Sequence, residues 1–185
     1  FHPAAVLRSW DFYPIVVADL LKAKREAESP LISRKPRWLT INPTPIELET
    51  AIAACRASPL TAVDIETACG HITRIGLSWH PQHAISIRLC DRTPTGLSSF
   101  YPTATAEAAA LRPLLSFLAS PCPKVFQNGE GYDLPWLRHH LRCPIRGAVH
   151  DTMFLHHALM PEMPKSLGFM GSIYTDLPAW KEMRV

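Results

Sequence analysis

The chain has 185 residues, 47% of them hydrophobic, and a formal net charge of +3. That length buries one core of ordinary size with a short appendage. So mild a basic excess writes no general electrostatic grip on nucleic acid into the composition, and any such contact must rest on local residues. Cys55, Cys69, Cys90, Cys122 and Cys143 stand far apart, without the paired spacing of a zinc or redox motif, and read as reduced thiols. No apolar run approaches the ~20 residues that span a bilayer, so the expected protein is soluble and cytoplasmic, with no membrane partner. Phe1 stands where an initiator Met would open a complete chain, and Val185 follows Arg184 with no turn or stop signal, so both ends read as cuts.

In chain order, Ile15, Val16, Leu20 and Leu21 alternate with Lys22, Lys24, Arg25 and Glu26, which predicts an amphipathic helix from Pro14 to Glu28. Pro36, Pro43 and Pro45 disfavour helix, so residues 30–45 read as an extended linker and a domain boundary. A second helix follows to Ala57, with Thr44 as its N-cap. The period then changes to two: 60–65, 72–79 and 84–89 read as a three-strand meander. Residues 103–120 predict a helix with a kink or break at Pro113. A short strand at 124–127, a helix at about 131–141, a turn at 142–147 and a helix at about 152–159 complete a layered α/β domain with a mixed central sheet.

Asp64 and Glu66 are two apart on a predicted strand, so both side chains point to one face. Carboxylates held that close repel unless a cation neutralises them, which is the chemistry of a hard divalent metal; the plain alternative is a pair of surface carboxylates on an edge strand. In Phe126-Gln127-Asn128-Gly129-Glu130-Gly131-Tyr132-Asp133, a buried strand runs into a loop and a helix whose first turn carries Asp133. There Asp133 either faces Asp64 over the end of the sheet or only stabilises the helix N-terminus.

Asp64-Ile65-Glu66 resembles the first motif of the DEDD superfamily of DnaQ-like 3′-5′ exonucleases. Asn128 through Tyr132-Asp133 resembles the second, and His150-Asp151-Thr152-Met153 with Ser166-Leu167 resembles the signposts before the third. The resemblance implies a ribonuclease H-like α/β fold with a mixed central sheet flanked by helices. It implies two divalent metal ions, Mg2+ or Mn2+, with Asp64 touching both, Glu66 one and Asp133 the second. Around them, Ile65 and Thr67 would pack against the terminal nucleotide, Asn128 would position, Tyr132 would contact substrate, and Asp151 would open a helix near the site. The third motif should supply a fourth carboxylate as Tyr-x-x-x-Asp or His-x-x-x-x-Asp. The His157 to Glu162 echo fails because Pro161 and Pro164 make a loop, and Tyr174 to Asp176 has the wrong spacing. The 185 residues therefore read as a domain truncated at its C-terminus, weak in metal binding and in nuclease activity by itself.

His2-Pro3-Ala4-Ala5-Val6-Leu7-Arg8 is similar to the second motif of family 4 type uracil-DNA glycosylases, which implies that His2 and Arg8 are remnants of a base and DNA site. The plain alternative is an ordinary loop before a helix. The expected organisation is a glycosylase-like remnant at 1–29, the linker at 30–45 and an incomplete exonuclease domain at 46–185. The expected partners are a single-stranded or frayed DNA 3′ end and a downstream polymerase domain, in a bacterial or phage-infected cell. RNase D-like trimming of RNA and a non-catalytic scaffold are the rivals. Adjacent His139 and His140, like His156 and His157, point apart on a helix and read as solvent or partner contacts. Trp136 and Trp180 read as packing more readily than as base-stacking residues. Arg34, Lys35, Arg37 and Arg138 suit either phosphate or solvent.

Overall fold

The computed structural model describes residues 3–29 and 36–175. The chain divides into two compact units, Lys35–Thr152 and a second made of Phe1–Arg34 with Met153–Val185.

In the first unit, helix α2 (Pro45–Ala57) starts where the sequence places it. The Thr44 Oγ1 accepts from Glu47 N–H at 3.3 Å, and Glu47 Oε2 accepts from Thr44 N–H at 2.8 Å. This reciprocal box satisfies two backbone donors that the helix itself leaves unpaired. Strands β2 (Thr61–Ala68), β3 (His71–His80) and β4 (His83–Arg88) form the expected antiparallel meander. Their alternation is legible in burial: Thr61, Val63 and Ile65 are buried while Ala62, Asp64 and Glu66 are exposed. The buried side joins Ile75, Leu77, Ile85 and Ile87 to Leu48 and Ile52 of α2, to Leu114 and Phe117 of α3 (Ala104–Leu118), and to Leu134 and Leu137 of α4 (Asp133–Leu141). Helix α3 runs through Pro113, where a kink or break is expected. Four of its residues, Ala110, Leu114, Phe117 and Leu118, are buried, and that packing offsets the hydrogen bond proline removes.

With β1 (Trp38–Ile41), β7 (Lys124–Phe126) and β8 (Val149–Asp151), the six-stranded sheet has the order β1-β4-β3-β2-β7-β8, in which β7 is parallel to β2 and to β8. The mixed sheet is thus as expected, but three parts differ. Strand β1, parallel to β4, lies inside what reads as a linker, and it starts the sheet ahead of residue 46. Trp38, Leu39 and Ile41 are exposed edge residues, so burial leaves no alternation to reveal them. A separate hairpin, β5 (Cys90–Thr93) and β6 (Gly96–Ser99), occupies a stretch with no assigned element. Strand β8 is only three residues long, too short for a periodic signal.

In the second unit, α1 (Tyr13–Ala27) packs with α6 (Leu167–Tyr174), and Lys22 Nζ donates to Thr175 O at 3.1 Å. By sequence these two segments fall apart, one into a glycosylase-like remnant and the other into an exonuclease domain. Helix α5 (Thr152–Leu159) stands where expected, and residues 160–166 are non-helical, in keeping with Pro161 and Pro164. His156 and His157 do point apart: His156 is buried against Tyr174 OH, 2.8 Å from Nδ1, and His157 is exposed. No helix among the described residues is long and apolar enough to cross a membrane.

Candidate active site

Strand β2 delivers Asp64 and Glu66 to one face, opposite Gly76 and Arg74 of β3. The register slips between Glu66 and Thr67, and such a bulge re-aims the side chain that follows it. The Thr67 hydroxyl meets the Tyr132 hydroxyl in a short hydrogen bond. Two residues expected near a nucleotide are thereby brought together.

Asp133 opens α4 and is 2% exposed. Its Oδ1 accepts from the Ile65 backbone N–H at 3.1 Å, which ties the helix N-terminus to β2 beside Asp64. Burial, and then the charge of Asp64, pushes the Asp133 carboxyl from 3.8 up to about 6; Asp151 pushes the same way. The two motifs therefore converge, with the Asp133 carboxylate held against β2 as well as standing at the start of α4. Ile65 departs from expectation. Its parity turns it away from Asp64, and its side chain is 5% exposed within the core, so its link to the site is its N–H and not a nucleotide-packing side chain.

The loop between β7 and α4 depends on two glycines. A Cβ on Gly129 would lie 2.4 Å from Phe126 Cβ, and one on Gly131 would lie 2.6 Å from Asn128 Oδ1. Asn128 adopts a left-handed φ of 59°, a conformation that Asn tolerates better than most residues. Asp151 stands directly before α5, as expected, and has a further role that the sequence does not announce. Its Oδ1 accepts from Asn128 N–H at 3.0 Å and its Oδ2 from Gly129 N–H at 2.7 Å, clamping the loop that leads to Asp133. Thr152 Oγ1 adds a bond to Phe126 O at 3.2 Å. The only signal for this clamp is an Asp-Thr pair closing a strand too short to recognise.

His2, Trp180 and Asp176 lie outside the described residues. Arg8 is exposed in the second unit, beside a hollow lined by Ala4, Ala5 and Phe12.

Carboxylate oxygens, the buried and upward-shifted Asp133 among them, suit a hard divalent cation in chemical type. Asp64, Glu66 and Asp133 are the donors on hand. Among the described residues, no three His, Cys, Asp or Glu side chains are disposed to hold one ion.

Solved structures with this arrangement of elements give the class of fold: a ribonuclease H-like mixed sheet flanked by helices. The catalytic core of RRP6 from Trypanosoma brucei is 21% identical with a TM-score of 0.55, over 78% of this chain and 36% of that one. RNase D from Escherichia coli, an exoribonuclease involved in structured RNA processing, is 19% identical with a TM-score of 0.53, over 80% of this chain and 36% of that one. NrnC from Brucella melitensis, solved with bound Mg2+, is 15% identical with a TM-score of 0.54, over 80% of this chain and 65% of that one. The chain thus spans little more than a third of the length of the first two. No protein-family profile and no curated relative matches the sequence.

Proposed function

We propose that the chain carries the catalytic domain of a metal-dependent 3′-5′ exonuclease that releases 5′-mononucleotides from DNA 3′ ends. The observation that carries this reading is the seating of Asp133, buried and driven toward protonation, against the strand that presents Asp64 and Glu66. Asp64, Glu66 and Asp133 would hold the divalent ions, Mg2+ or Mn2+, and such ions would supply activation of water and stabilisation of the leaving 3′ oxygen. In the same reading, the Asp151 clamp and the Ile65 N–H fix where Asp133 stands, and the linked Thr67 and Tyr132 hydroxyls border the terminal nucleotide. Three carboxylates without a fourth hold the metals weakly. A fourth carboxylate, in a longer parent that also bears a polymerase domain, completes the proposal.

The test is Mg2+-dependent digestion of a 5′-labelled single-stranded DNA by the longer parent and its Asp64→Asn variant. The variant is expected to be slower by about 1,000-fold, ~4 kcal/mol in barrier. Undiminished digestion overturns the reading in favour of a scaffold. A second reading, trimming of RNA 3′ ends, is favoured by the fold shared with RNase D; matched DNA and RNA strands separate the two.

A further inference from the structure

We propose that the outward side of α4, together with the β2–β3 turn, is a track for the nucleotides upstream of the terminal one in a single-stranded nucleic acid. The inference rests on the exonuclease reading for the direction of the strand, with its 3′ end at the carboxylates.

A row of rings leads away from the carboxylate end along α4. Tyr132 and Trp136 have ring centroids 6.0 Å apart, and Trp136 and His140 are stacked at 4.7 Å. His139 meets His140 edge-on at 4.9 Å, and His71, at the start of β3, meets His140 at 5.9 Å. The spacing of four residues keeps Tyr132, Trp136 and His140 along one side of the helix. From Tyr132 to His140 the helix rises about 12 Å, several times the ~3.4 Å rise of one stacked nucleotide.

Packing accounts for the middle of the row only, where Trp136 is half-buried against the core, as its sequence reading expects. Leu134 and Leu137 already fill the core side of α4, whereas Tyr132 is 39% exposed and His71 and His139 are exposed. Three imidazoles also meet where their charges repel: burial, then His139, then His71, holds the His140 pKa below its ordinary value. No Asp or Glu occurs in the 67–72 turn, and Asp133 is the only one in α4. A polyanion supplies the missing countercharge. The imidazole N–H groups donate to phosphate oxygens, while Tyr132 and the exposed ring edges meet bases irrespective of sequence. Exposed Arg138 on α4 and Arg142 at its C-cap add cationic charge nearby. None of these groups distinguishes ribose from deoxyribose.

Fluorescence anisotropy of the 185-residue chain in EDTA, with labelled deoxythymidine oligomers of about two and about eight nucleotides, tests the track at pH 6 and pH 8. The octamer is expected to bind about five-fold tighter at pH 6, and the dimer, which meets only the carboxylate end where Asp133 takes up a proton, to gain less than about two-fold. The His71→Ala/His139→Ala double variant should cut the octamer gain to less than about two-fold, while His157→Ala, in the other unit, should keep it. An unchanged gain in the double variant, a dimer as tight as the octamer, or no octamer binding overturns the track. Because neither metal nor turnover enters, octamer binding by a parent that digests nothing leaves the track standing and removes the exonuclease reading.

Discussion

Two buried charged residues, one opening strand β7 and one opening α4 after it, are treated in opposite ways. At the start of β7 Lys124 is fully buried, yet its Nζ donates to Ser120 O at 3.0 Å, Cys122 O at 2.8 Å and Arg146 O at 3.0 Å, and lies 4.8 Å from the Phe117 ring centroid. Every ammonium proton has an acceptor, so the cation ties the loop before the strand to the distant loop at Arg146. Beyond the strand's other end, Asp133 has the Ile65 N–H and neighbours of its own sign. A charge fully answered by the fold is structural; a charge left in surplus is what a site for a cation or for proton exchange requires.

The largest effect that could break this contrast is at the lysine. Lys124→Ala orphans three carbonyls, and a loss of about 3–5 kcal/mol is expected in urea unfolding; a loss under about 1 kcal/mol would show that the carbonyls find other partners. Next comes the opposite sign at the carboxylate. Asp133 has its ordinary pKa of 3.8 when unfolded and about 6 when folded. Between those values the folded chain keeps a proton that the unfolded chain has released. Stability therefore falls as pH rises through this window and is level above it. Asp133→Asn should stabilise the chain in EDTA by up to roughly 3 kcal/mol at pH 8 and not at all below about pH 4, while removing activity from the parent. Equal stability of variant and wild type at pH 8 would mean that the surplus charge is answered. The smallest effect is at the clamp. Asp151→Asn sets an NH2 donor against one of the two N–H groups, so one bond is lost and the other loses its charge assistance; about 2 kcal/mol is expected, with kcat of the proposed exonuclease reduced more than KM because the loop that seats Asp133 loosens.

Much of the acidic side of this contrast is legible in the amino-acid sequence. The D-x-E pair and Asp133 stand out because alternation fixes the direction of the first two and a helix start that of the third. The meander is readable for the same reason, through Val63, Ile65, Ile75, Leu77, Ile85 and Ile87. What escapes has no such periodicity. Strand β1 is exposed at Trp38, Leu39 and Ile41, β8 is too short, and the Asp151 clamp acts on backbone groups, which carry no residue identity. Ile65 misleads because its place in a motif says nothing of which way it faces; parity does, and parity puts it in the core. Lys124 likewise reads as an ordinary polar start to a strand, since the three carbonyls that enclose it come from the loop before the strand and from a distant one.

The clamp has one more consequence, for chemical ageing. Asn-Gly is the dipeptide in which the following backbone nitrogen most readily attacks the side-chain amide, closing a succinimide and releasing ammonia. In Asn128-Gly129 that nitrogen is held by the Asp151 carboxylate at 2.7 Å, and the left-handed backbone at Asn128 is fixed on its other side by the same carboxylate. The loop that orients Asp133 is thereby also shielded from slow deamidation for as long as the chain stays folded.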